Sequence, residues 1–343
     1  MTFAHYFWDT MKARPAYSVY WANDVFLMGE TTDQFYSNGF KMEMIKMGKV
    51  FVLDKEGKRA YPSTGVHPGF NLRREVFSAQ IGQSIYTPTN TMTNEILEGD
   101  RPYGGWAFAG ASYESLRLKH DSSFLLDVDI GCIGPCASAE KTQSWFHRYI
   151  SDSPRPKGWG NQVQNEFGVA LNLQYRPAVI RLWDHESFTD FRHADLAPTI
   201  RASMGNIFTN FGLGGMFRLG RMRSYFAGQG LKLGDGLKDT MGLDIDGPSM
   251  SRYLTEEWYF YVKMEGILVG YNALLEGGWF SGDDPHTVRP NRFLLNGEAG
   301  LALIFKQFSL VYSSAFGSYE FKGDEATVIR HVFGSLRLTV YLN

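Results

Sequence analysis

Residues 163–176, VQNEFGVALNLQYR, decide the fold class. Val163, Phe167, Val169, Leu171, Leu173 and Tyr175 fall on odd positions, with Asn165 among them. Gln164, Glu166, Gly168, Ala170, Asn172, Gln174 and Arg176 fall on even ones. A period of two means a strand whose side chains stand alternately on two faces, here one apolar and one polar or small. The same pattern returns along the chain. Phe124, Leu126, Val128 and Ile130 oppose Asp127 and Asp129, and Trp258, Phe260, Val262, Met264 and Leu268 oppose Lys263 and Glu265. Near the C-terminus Val328, Val332, Leu336, Leu338, Val340 and Leu342 oppose His331, Ser335, Arg337 and Thr339.

About twelve such runs are readable: 17–28, 35–47, 75–87, 103–117, 122–132, 163–176, 178–205 (irregular), 208–221, 253–276, 292–305, 307–318 and 327–342. Several exceed the ~5–6 residues usual in soluble sheets and fit a tilted membrane-crossing strand. Connections at 118–121, 176–177 and 306–307 are short, while those at 88–102, 133–162 and 277–291 are long. Short turns at one end and long loops at the other are the pattern of outer-membrane barrels. Segments 48–74 and 222–252 break it on the presumed periplasmic side. A soluble β-sandwich also alternates, but two features weigh against it. Asp127, Asp129, Glu166, Lys263 and Glu298 lie mid-strand on the polar face, as in a polar lumen. Aromatics collect near run ends, as at Tyr17, Tyr20 and Trp21 and again at Trp258, Tyr259, Phe260 and Tyr261. The expectation is one all-β domain over 1–343, an antiparallel transmembrane β-barrel of about twelve strands.

Composition narrows the function classes. Net charge is −2, which offers no basic stripe for nucleic acid. No stretch approaches the ~18 apolar residues of a transmembrane helix. The opening MTFAHYFWDTMKARPAYSVYW has no basic region followed by an apolar one, so an exported chain is expected here without its signal peptide. Cys132 and Cys136 flank a Gly-Pro step in GCIGPC, compatible with a local disulfide or with two free thiols.

Residues 137–150, ASAEKTQSWFHRYI, depart from alternation inside the long connection 133–162. On a helix, Glu140, Gln143 and His147 share one stripe, and Trp145 and Tyr149 form another able to pack on a wall. Such a helix suits a lid posed over a site; the plainer reading is a surface ornament with an incidental histidine. Three further segments bring polar groups to the same rim: Asn23-Asp24, Ser37 within FYSNGF, and Asp100-Arg101 within GDRPYGG. Taken singly, Asn-Asp reads as turn chemistry and Asp-Arg as a local ion pair.

The ordered blocks WANDVF, TTDQFYSNGF, QSIYTPTN, GDRPYGGWAF, DIGCIGPCASAEKTQSWFHR and GWGNQVQNE resemble those of the lipid A 3′-O-deacylases of Gram-negative outer membranes. The resemblance is strong over 21–176 and continues as a compatible strand pattern beyond. It implies a twelve-stranded barrel in the outer membrane, a Ca²⁺ requirement, and an active site between the barrel wall and a helix in an extracellular loop. By position, the family's Asn-Asp pair falls on Asn23 and Asp24 and its histidine on His147. The strand-two hydroxyl, often threonine, is Ser37 here.

The implied reaction removes the 3′-linked acyl chain of lipid A or lipopolysaccharide, with the protein acting as a monomer. An imidazole takes a proton from water near neutrality, which makes His147 the candidate base. Asp24 is the candidate metal ligand, since Ca²⁺ prefers oxygen donors and polarises an ester carbonyl. Neighbours on a regular strand point to opposite faces, so Asn23 and Asp24 share a site only if a bulge or a backbone contact intervenes. Ser37 would position water or substrate, or less simply act as nucleophile. Gln143 would orient the imidazole, with Asp152 a weaker alternative. Asp100 and Arg101 would brace the strand entrance, or Arg101 would pair with a lipid A phosphate. A passive outer-membrane channel and a phospholipase-type barrel, the latter expected to carry a His-x-Ser arrangement, are the alternatives.

Overall fold

The computed structural model describes residues 15–23, 26, 35–48, 51–53, 59–60, 71–117, 121–151, 154–186, 191–222, 257–282, 284–305, 307–322 and 331–342. Its strands are β1 Ala16–Asn23, β2 Phe35–Met47, β3 Phe51–Leu53, β4 Arg59–Ala60, β5 Asn71–Thr87, β6 Gly104–Arg117, β7 Ser122–Ile133 and β8 Glu166–Arg176. They continue as β9 Ile180–Glu186, β10 Phe191–Gly205, β11 Phe208–Arg221, β12 Glu257–Asn272, β13 Phe293–Ile304, β14 Phe308–Gly317 and β15 His331–Tyr341. Among these, β1, β2, β5, β6, β7, β8 and β10 to β15 form a closed antiparallel ring of twelve. It closes where β1 pairs with β15 and where β2 pairs with β5. Closure leaves no sheet edge, so the ring's backbone groups pair within the barrel, as a hydrocarbon surround demands.

The ring is inside-out relative to a soluble domain. Residues such as Ile81, Ile130, Phe167, Leu213, Phe260 and Leu268 are exposed on the outer wall. Glu43, Gln80, Glu114, Asp127, Asp129, Asp195, Arg218 and Glu265 are buried in the lumen. Lumenal charges pair across strands. The Arg218 guanidinium meets both oxygens of Asp195, Arg201 meets Glu265, and the Gln80 amide donates to Asp127 at 3.0 Å and Asp129 at 2.7 Å. At the end away from the long connection 133–162 Ile45, Val76, Leu116, Met216, Tyr259 and Tyr261 belong to one apolar cluster, and at the other end Trp106, Ile133, Val163, Ile207 and Leu274 pack into a second.

Two expectations need correction, and one segment without an account gains one. The irregular run 178–205 is two strands, β9 and β10, paired as a hairpin with a register shift at Ala194/Asp195. The aromatic run 258–261 splits by parity: Trp258 and Phe260 face out, while Tyr259 and Tyr261 are almost fully buried in the lumenal cluster. Segment 48–74 contributes the small β3–β4 pair, which extends β5. Of 222–252, only Met222 is among the described residues.

Candidate active site on the outer wall

The helical segment begins on a close approach. Gly134, with φ of 84°, turns the chain out of β7, and Ala137 and Ala139 settle on Gly105 of β6. A Cβ at Gly105 would stand 2.5 Å from that of Ala139, so the helix can touch the wall only because residue 105 has no side chain. Gln83 of β5 donates to the Ala137 carbonyl at 2.6 Å, and a Cys132–Cys136 disulfide ties the end of β7 to this turn. Helix α1, Ala139–Phe146, then runs into a π-helical turn at His147–Ser151, where a continuous helix over 137–150 was expected.

Trp21, Asn23, Asn38 and Ile85 lie on the face of their strands that points away from the lumen, since Ser18 of β1 and Glu43 of β2 alternate inward. Yet Asn23, Asn38 and Ile85 are only 2%, 8% and 1% exposed. What covers them is α1 and its flanks: Phe146 meets Trp21 edge-to-face at 5.8 Å, and Ile85 clusters with Ala139, Tyr103 and Trp159. Asn23 and Asn38 stand opposite one another in the β1–β2 register, and Trp21 Nε1 donates to Asn38 Oδ1 at 3.1 Å. A polar strip therefore lies on the outer wall, roofed by α1.

Gln143 and His147 are the roof's buried polar residues, each 2% exposed. Glu140, expected on their stripe, is exposed, and Trp145 and Tyr149 face away from the wall at 56% and 61% exposure. Phe146 packs on the wall in their place. His147 Nδ1 lies 2.7 Å from the Pro154 carbonyl. A carbonyl only accepts, so Nδ1 carries a proton, and in the neutral ring the lone pair is then on Nε2, the tautomer a general base at that nitrogen requires. The Pro154 carbonyl fixes the ring in the part expected of Gln143. The Gln143 Oε1 instead accepts from Trp159 Nε1 at 3.0 Å, and its Nε2 has no hydrogen-bond partner among the described residues.

Ser37 occupies the position that the β2–β5 register skips between Tyr36 and Asn38. The bulge that the Asn-Asp pair needs is thus on the neighbouring strand, where it breaks alternation beside Asn38. Asp24 and Asp152 lie outside the described residues. Asp100 and Arg101 are not at the strip. Asp100 accepts from the Thr89 backbone at 2.7 Å and from the Thr89 hydroxyl. Arg101 is fully buried, stacks on Tyr86 at 4.4 Å and pairs with Glu320 at 2.9 Å. Tyr86 and Glu320 line the lumen, so this guanidinium braces the inner rim and is not offered to a lipid phosphate. Asn38, Pro154 and Trp159 were not singled out from sequence. Asn38 had the one available signal, adjacency to Ser37 in FYSNGF.

Two His-x-Ser triplets exist, His120-Asp121-Ser122 and His185-Glu186-Ser187. Their described members are not at the strip: Ser122 starts β7 opposite Arg117 at the far end, and His185 stacks on Trp183 in β9; His120 and Ser187 lie outside the described residues.

A model of the family described as outer membrane protein LpxR matches residues 2–342. No curated protein matches the sequence. Among solved structures, LpxR from Salmonella typhimurium superposes with a TM-score of 0.69 at 19% identity, covering 95% of this chain and 100% of that one. The β domain of the Bordetella autotransporter Brka reaches a TM-score of 0.38 at 9% identity, over 96% of this chain and 98% of that one, too low to carry an argument. The protein is thus an outer-membrane barrel, and the chain belongs to the LpxR family.

Proposed function

We propose that the protein is a Ca²⁺-dependent ester hydrolase that removes the 3′-linked acyl chain of lipid A by a histidine-activated water. The observation that carries this is a buried His147 whose Nδ1 donates to Pro154, next to the Phe146 that packs on Trp21 beside an amide-bearing strip on the outward side of a barrel of this family. A soluble enzyme would have its site in a water-filled cleft; this one is roofed by a helix on the wall that faces lipid.

In this reading His147 Nε2 takes a proton from water, and the resulting hydroxide attacks the ester carbonyl carbon. The C–O bond to the sugar breaks, and the proton passes to the departing 3′ oxygen, leaving a fatty acid and a free hydroxyl. The strip's donors suit a hard cation, since Asn23 and Asn38 offer amide oxygens; among the described residues no cluster of three or more His, Cys, Asp or Glu side chains forms a ready-made site. Asp24 is the anionic ligand we assign, with Asn23 beside it. Bound Ca²⁺ would supply Lewis-acid polarisation of the carbonyl and a counter-charge for its oxygen. Ser37 positions water or substrate at the bulge.

The test is mass spectrometry of lipid A from cells with and without the protein, repeated on purified protein in EGTA and after Ca²⁺ is restored. A mass loss equal to one 3′ acyl group, abolished by chelation, is expected. Unchanged lipid A would refute the hydrolase, and full turnover in chelator would refute the metal alone.

A further inference from the structure

Directly below the roofed strip the outer wall is indented. In register across the sheet, Phe40, Gln83, Ala107 and Cys132 form one lipid-facing row, and Met42, Ile81, Ala109 and Ile130 the next. The β6 member is alanine in both, and Ala111 follows in the third row. Ile81 and Ile130 rise on either side at 55% and 49% exposure, with Phe40 behind. The result is an open apolar groove of about 550 Å³. Its floor from Ala107 to Ala109 spans about 7 Å at ~3.3 Å per residue, and Ala111 continues the alanine row beyond it.

The groove and the strip are continuous. Gln83, which lines the groove, holds the Ala137 carbonyl at the start of the roof. Phe40, in the groove, is two residues from Asn38 on the same face of β2. Within the roof the buried Gln143 Nε2 is a donor without a hydrogen-bond partner among the described residues, open to a polar ligand group. A molecule satisfying both regions has a polar ester head and an apolar tail that runs along the wall toward the membrane interior.

We propose that this groove holds the acyl chain of the ester being cut, and that Ala107, Ala109 and Ala111 set the chain length accepted. The inference rests on the reading of the protein as a lipid A ester hydrolase. Any lipid can wet the outer wall, but only a chain attached to a head group under α1 is fixed in register with the groove. Residues along β6 then act as a ruler. A bulky side chain at Ala109 shortens the usable floor, and one at Ala111 does so a row farther from the roof.

The experiment uses the full chain in bilayers, with heat-modifiability as the check on folding. Lipid A carrying a diazirine at the end of its 3′ acyl chain is irradiated, and adducts are mapped. Adducts concentrated on Ile81, Ala109 and Ile130, and depleted in Ala109→Trp, are expected. Adducts spread evenly round the wall, as at Leu213 and Leu268, overturn the groove whether or not the wild type turns over. In parallel, the tetradecanoyl-to-decanoyl turnover ratio should fall about 10-fold in Ala109→Trp, the scale set by chain fit in apolar pockets. Ala111→Trp should shift the cut-off to longer chains than Ala109→Trp does. An unchanged ratio in both folded variants refutes the ruler while leaving the hydrolase standing. A wild type that cleaves neither substrate refutes the hydrolase, and the adduct map still decides the groove.

Discussion

Buried polar side chains occur in two regions of this barrel, and they are satisfied differently. In the lumen, Arg218 is fully buried, meets both oxygens of Asp195 and lies 5.2 Å over the Tyr259 ring, while Gln80 bridges Asp127 and Asp129. On the outer wall the partners are neutral: Gln143 Oε1 accepts from Trp159 Nε1, and His147 Nδ1 donates to the Pro154 carbonyl. Charges paired to one another hold a shape. Groups held in a defined state by a neighbour's backbone remain able to act on something else. In the proposed function the lumen is therefore the scaffold, and the chemistry belongs to the strip beneath α1.

Substitutions in the two regions should separate stability from activity. The largest effect expected is that of His147→Ala, which removes the base and should lower lipid A deacylation about 10²- to 10⁴-fold, the usual range for a general base. The barrel should still fold, because its ladder does not run through the π-helical turn. Near wild-type product in the lipid A spectrum would end the assignment. Arg218→Ala should do the reverse. Leaving Asp195 buried and uncompensated costs about 3–5 kcal/mol, seen as a lower midpoint for loss of heat-modifiability. Activity per folded molecule should be unchanged. The paired replacement Arg218→Met with Asp195→Leu should restore most of the loss, and a double mutant as unstable as the single would show that the pair does more than neutralise itself.

Smaller effects sharpen the comparison inside the strip. Ser37→Ala should lower turnover about 10- to 100-fold, equivalent to about 1.4–2.7 kcal/mol, while Ser37→Thr keeps most of it. A loss equal to that of His147→Ala, with an acyl adduct on Ser37 in the intact-protein mass, would make Ser37 the nucleophile. The smallest effect is set by the contact at Gly105. Gly105→Ala puts a methyl against Ala139 and should raise KM for lipid A several-fold through a displaced roof, leaving the barrel's thermal midpoint within experimental error.

Much of this was legible because a barrel in lipid writes its pattern plainly. Both faces of a strand meet different surroundings, so period-two runs such as 35–47 and 208–221 coincide with β2 and β11. Legibility failed where side chains serve something other than the ladder. Tyr259 and Tyr261 look like girdle residues in sequence because an aromatic suits a membrane interface and a lumenal cluster equally well. The 178–205 run fused two strands because the residues linking β9 to β10 carry neither Gly nor Pro. At the site, His147 was readable from spacing and resemblance. The partners of Gln143 and His147 were not, because Trp159 and Pro154 come back from beyond the helix and nothing in their local sequence marks the return.

That α1 lies against the outside of the wall has a kinetic consequence. A site that opens sideways into a leaflet meets its substrate by diffusion in two dimensions, so the quantity that sets its rate is the mole fraction of lipid A in the surface. Bulk molarity has little bearing on it. Diluting a membrane suspension with buffer should hardly change turnover per protein. Diluting the same lipid A with inert phospholipid or detergent, at constant bulk concentration, should slow it in proportion.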